Sequence, residues 1–226
     1  MNVTDRMQVQ IKVWEQKKDP RSIFLSCYQM MTDNMLKAID QERFHDQVWV
    51  RTLLHQFADY YFNALVCYEC DEERTPEVWR YVHDITKKKK LHVLQSLLLG
   101  VNAHINYDLV LTVFDMLAPE WGDLTEEKRL ARFEDHNKVN DIIAETIDKV
   151  QDEVVERYDQ TMDWLDQAFG RLDEKLLSHL LTRWRHNVWE YAIALLHFDS
   201  EKDRENHLKD LELEVLKRAR RLALDF

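Results

Sequence analysis

Leu91-His-Val-Leu-Gln-Ser-Leu-Leu-Leu-Gly-Val-Asn-Ala-His-Ile-Asn-Tyr-Asp-Leu-Val-Leu-Thr-Val-Phe114 is apolar nearly all round. A helix of that kind lies in the middle of a bundle, covered on every side. The apolar run continues to Leu117, so the pattern predicts a buried central helix over about 90–117 that the rest of the chain must enclose. The 226 residues include only three Gly and three Pro, too few turn residues for a many-stranded protein. At 45% hydrophobic, with seven Trp, the chain can bury a sizeable core. The reading is all-α, a multi-helix bundle of about eight helices.

Punctuation places the other helices. Asp19-Pro20 and Thr75-Pro76 each put an N-cap residue before Pro at the first helical position, Pro119 stops the central helix, and Gly122 and Gly170 fall between periodic segments. Spacing then predicts helices over 4–17, 20–40, 42–69, 76–86, 90–117, 125–169, 171–198 and 200–224, with a break near Asp135-His136-Asn137. No Pro/Gly/Ser-rich linker, internal repeat or low-complexity tract divides the sequence, so one domain over 1–226 is expected. The last helix carries a thin stripe of Leu211, Leu213, Val215, Leu216 and Leu222, which packs on the bundle or meets a second copy in a homo-oligomer.

Charge and composition narrow the function. A formal net charge of −11 argues against a general nucleic-acid binder, which needs a basic face. The run Lys87 to Lys90 reads as a solvated connection. The first 18 residues have no apolar core, so no secretory signal is expected. Asn102, His104, Asn106, Asp108 and Asp115 make the 91–117 segment too costly for a lipid span, so no membrane is expected either. Three Cys without an export signal point to reduced thiols in the cytoplasm.

The polar residues of the central helix carry the functional signal. His104 and Asp108 are four apart and share a face; Asn102 and Asn106 form a second such pair, turned away from the first. Buried polar groups left unpaired cost about 1–3 kcal/mol each, so four of them need partners from other helices, water or a ligand. Gly100 sits mid-helix, where it costs about 1 kcal/mol relative to Ala. A glycine there marks a kink or a place where another group comes close.

Gly100-Val-Asn-Ala-His-Ile-Asn-Tyr-Asp-Leu109 resembles the G-x-N-A-H-I-x-x-D-L signature of a bacterial all-helical family catalogued as a domain of unknown function, and every fixed position is present. Weaker echoes are Phe133 to Asn140, and Arg185 with Trp189 and Ala192. The resemblance implies a shared site around Asn102, His104 and Asp108. It implies no reaction.

The residues themselves leave several chemistries open. His55 and Asp59 repeat the His-x-x-x-Asp spacing on a second apolar helix. If the two helices face each other, His55, Asp59, His104 and Asp108 form a nitrogen and oxygen set for a divalent metal ion. Without a metal, His104 reads as a general base oriented by Asp108, in a pocket lined by Asn102 and Asn106 that binds a small molecule. Asn140 is a further candidate, as is Arg185; an inward Arg needs a carboxylate or holds an anionic ligand. From another class, the chain reads as a non-catalytic scaffold or partner-binding protein whose polar cluster fixes helix register. A third reading is an HD-like metal phosphohydrolase using His83-Asp84 with His55 and Asp141. Glu42-Arg-Phe-His45 lacks the second copy that a di-iron bundle needs, and Cys67-Tyr-Glu-Cys70 is a lone pair, which does not make a zinc site.

Overall fold

The computed structural model describes residues 2–70, 72–88, 90–150 and 174–224. These form an all-α bundle: α1 (Val3–Gln16), α2 (Arg21–Asp40), α3 (Gln47–Cys70), α4 (Glu77–Lys88), α5 (Val93–Ala103), α6 (Leu109–Leu117), α7 (Glu126–Val150), α8 (Glu174–Leu196) and α9 (Glu201–Leu222). A π turn, His104–Asp108, joins α5 to α6, so the segment from Val93 to Leu117 is one interrupted helix and the described residues hold eight helices and no strand.

That segment is the centre of the bundle, as its sequence predicts. α2, α4 and α9 pack on α5, while α3 and α8 pack on α6. It is long and apolar enough to cross a membrane, but 72% of its most apolar window is buried against other helices, the pattern of a core helix. Leu99, Ala103, Val113 and Leu117 are fully enclosed. They join one large apolar cluster that reaches from Met7 and Trp14 in α1 to Val215 in α9.

Polar side chains fix where helices begin. The Asp19 carboxylate accepts from the Arg21 N–H at 3.1 Å and from its Nη2 at 2.7 Å, the start expected from Asp19-Pro20. Ser200 Oγ accepts from the Asp203 N–H at the head of α9. The third helix starts at Gln47, not near 42 as spacing suggests. Its entry is held from outside: Asp135 on α7 accepts from the N–H groups of His45 (2.6 Å) and Asp46 (3.0 Å).

This also corrects the expected break near Asp135-His136-Asn137. The helix α7 runs through it unbroken, because Asp135 and His136 turn inward and bond neighbouring helices without disturbing their own backbone. The rest of the expected 125–169 helix and Gly170 lie outside the described residues.

Candidate functional site

The π turn coincides with the signature. The Leu109 N–H bonds the carbonyl of His104, five residues back, where an α-helix would bond four back. One inserted residue rotates the downstream face by about 100°. Thr112 Oγ1 donates to the Asp108 carbonyl, four residues back, at 2.8 Å. Single-turn π insertions of this kind occur disproportionately at functional sites.

Inside the turn, His104 Nδ1 lies 2.8 Å from Asp108 Oδ2, and the Trp79 indole N–H donates to both Asp108 oxygens at 3.0 Å. Two donors onto one carboxylate place the imidazole proton on Nδ1 and leave Nε2 as a bare acceptor. Nε2 is buried and has no hydrogen-bond partner among the described residues. Burial pushes the imidazole pKa down, against the pull of Asp108, and pushes the Asp108 pKa up, against His104 and Trp79. The ring stacks on Phe57 (centroids 3.6 Å apart, planes within 6°) and meets Tyr28 edge-on at 4.3 Å.

Gly100 explains itself here. A Cβ at that position would overlap the Phe24 ring, which contacts His104, Tyr61 and Trp79. The close approach expected of a mid-helix glycine is that of an aromatic side chain in the wall around the imidazole.

His104 opens onto a cavity of about 160 Å³ between α2, α3, the central helix, α7 and α8. Its walls are almost wholly apolar, including Phe24, Met31, Leu53, Val101, Ile143 and Leu181. Among the lining residues, Trp49 Nε1 is also buried with no partner among the described residues, and Tyr28 Oη has only the Thr32 side chain beside it, outside hydrogen-bond geometry. Burial raises the Tyr28 pKa far above its usual value and pushes the Cys27 thiol, also in the wall, up to about 12, so neither is a ready nucleophile.

A second polar group closes another part of the wall. Arg185 Nε donates to Asn140 Oδ1 at 2.9 Å and Nη2 to the His136 carbonyl at 2.6 Å, while His136 Nε2 donates to the Arg185 carbonyl at 2.9 Å. The expected inward Arg is therefore Arg185, joined by Asn140; Arg183, His186 and Glu190 face outward. In the sequence His136 reads only as part of a helix break.

Several expected site residues lie elsewhere. Asn102 is fully buried but faces α9, where its Nδ2 donates to the Val215 carbonyl at 3.1 Å and its Oδ1 accepts from Asn106 (3.3 Å) and Arg218 (3.4 Å). The two asparagines form an interhelical tie, not the wall of the His104 pocket. His55 and Asp59 are exposed, and Asp59 pairs with Arg6 at the surface. The buried stripe of α3 is Val50, Leu54, Ala58, Tyr61 and Leu65, one residue out of phase with them. The four-ligand set with His104 and Asp108 is thus not assembled, and among the described residues no three His, Cys, Asp or Glu side chains come together as a metal would need. The HD-like set fails likewise: His83 is buried against Trp79, whereas Asp84 pairs with Lys88 and Asp141 with Lys138. His45 pairs with Glu134 at the surface, and Cys67 and Cys70 are free thiols.

No curated protein and no solved structure matches the chain. A family model described as a family of unknown function, DUF5995, matches residues 1–225, so the chain belongs to that family.

Proposed function

We propose that this protein binds a small, largely apolar molecule in the cavity beside the π turn, with His104 Nε2 as its polar contact and general base. The observation that carries the reading is a buried Nε2 with no partner among the described residues, on a His104 ring that lines an apolar cavity. A buried acceptor with no partner costs about 1–3 kcal/mol, and a ligand N–H or O–H supplies what the fold omits. The volume supports a single ring or short chain, since an apolar cavity of about 150 Å³ admits benzene.

Asp108 is the orienting group of this site. It fixes the tautomer that bares Nε2 and would stabilise the imidazolium if the ring takes a proton from the ligand. Trp79 in turn holds Asp108. The scaffold reading accounts for Asn102 and Asn106, which bond α9 and each other, but not for an imidazole acceptor left open on a ring that lines a cavity.

The test is a calorimetric titration with phenol, a ring carrying one O–H donor. One equivalent is expected to bind the wild type, and His104→Phe is expected to weaken it at least tenfold, because the ring is kept and the acceptor lost. Absence of binding to a folded wild type sinks the proposal; equal binding by folded His104→Phe sinks the role of His104.

A further inference from the structure

Arg185 is not used by the function proposed above, and its surroundings are unusual. The residue is 5% exposed, yet among the described residues no carboxylate lies within ion-pairing distance of it. Its described partners are an amide oxygen and a carbonyl through Nε and Nη2, plus the His136 ring nitrogen Nδ1 at 3.5 Å. Nη1 has none. Asp135 also lines the cavity, but both its oxygens already accept the N–H groups that open α3. An Arg taken out of water without a counter-charge is strongly unfavourable unless an anion completes it. Burial pulls Arg185 down to about 9, so it is still charged at neutral pH.

A second donor stands in the same part of the wall. Trp49 is the third residue of α3, and the N–H groups of His45 and Asp46 just before that helix are held by Asp135, the neighbour of Arg185's partner His136. Its indole N–H is buried and unpartnered, and it too lines the cavity. Apolar walls, an uncompensated guanidinium and a free indole N–H together describe a recess for a hydrocarbon body bearing one small anionic group.

We infer that the ligand of this cavity is an organic monocarboxylate with a body of one ring or a short chain, its carboxylate held by Arg185 Nη1 with Trp49 Nε1. This rests on the cavity being a ligand site, and adds the chemical class. Two donors suit a carboxylate's two oxygens, whereas a phosphate dianion calls for a richer set.

Benzoate and its neutral isostere benzamide, titrated in parallel with phenol at pH 7, test the assignment. Benzoate is expected to bind the wild type at least tenfold more tightly than benzamide, with the advantage weakening in higher salt. Arg185→Met is expected to bring the two within about threefold, chiefly by weakening benzoate, and Arg185→Lys to keep part of the preference. Benzoate binding no better than benzamide in the wild type overturns the inference, whether or not the variants fold, and phenol binding then shows that the cavity reading survives it. If all three probes fail, both readings fall. A preference that survives in folded Arg185→Met overturns the role of Arg185.

Discussion

The two faces of the central helix bury polar groups in opposite ways. Toward α9, Asn102 and Asn106 are completed within the protein: a carbonyl of α9, a guanidinium of α9 and each other. Gln95 adds a bond to the Leu222 carbonyl on the same side, at 3.1 Å. Toward the cavity, the imidazole of His104 has one nitrogen tied to Asp108 and the other tied to nothing. The same helix, two residues apart, carries a closed network and an open one. A closed network specifies how helices dock, because any other register strands its amides. An open one costs stability and persists where something else completes it. The difference assigns structure to the amide face and ligand binding to the imidazole face.

Acid separates the faces most strongly, since amides do not titrate. Burial holds the His83 pKa at about 3 and that of His136 well below its usual 6.5. A depressed histidine contributes stability that is complete above pH 6.5 and lost as pH falls toward the folded value. At pH 5 the His83 ring costs about 2 kcal/mol relative to pH 8, and His136 adds a loss of the same sign. Urea unfolding at the two pH values is expected to show a loss of at least about 2 kcal/mol, smaller in His136→Gln and unaltered in Asn102→Ala. A flat profile between pH 8 and 5 would remove the claim that these rings are buried and neutral.

Asn102→Ala is the next largest effect. It removes the tie to the Val215 carbonyl, which keeps the bond of its own helix, and loosens Asn106 and Arg218, so a loss of about 1–3 kcal/mol is expected in urea unfolding. Phenol affinity of the folded variant should stay within about threefold of wild type. A large loss of affinity would join the two faces that the structure separates.

Gly100→Ala adds a methyl where the Phe24 ring lies, and overpacking of this kind costs about 1–3 kcal/mol. Because Phe24 packs against His104, phenol binding should weaken as well, unlike in Asn102→Ala. Stability and affinity measured on the same sample distinguish the two variants.

Tyr28→Phe should change least, and in the opposite direction. It removes a buried hydroxyl that has no partner in hydrogen-bond geometry among the described residues, so unfolding stability is expected to be unchanged or higher by up to about 1 kcal/mol. A loss above that value would mean the hydroxyl is satisfied in the folded protein.

Much of this architecture is legible in the sequence because it depends on local pattern. The all-round apolar character of 91–114 marks the core helix, the i, i+4 spacing pairs His104 with Asp108, and Gly100 announces a close approach. What was not legible depends on groups distant in sequence. The π turn arises from how the bundle accommodates the helix, and a 3.6-residue period does not report it. On α3, apolar residues flank His55 and Asp59 on both sides, so the helical phase that leaves them exposed is decided by which stripe packs inward. Arg185 sits in a row with Arg183, His186 and Glu190, and only the position of α7 selects it as the inward cation. Asp135-His136-Asn137 looked like a break because polar residues within a helix are read as local, whereas here they serve the start of α3 and the carbonyl of Arg185.

The state of the His104 ring is the point on which the functional account turns. Long-range ¹H–¹⁵N spectra of histidine-labelled protein at pH 7, with and without phenol, report it directly. The account predicts a neutral ring protonated at Nδ1, with a free Nε2 whose signal moves as one equivalent of phenol is added. A ring protonated at Nε2, or an Nε2 signal that stays fixed at saturating phenol, would contradict it.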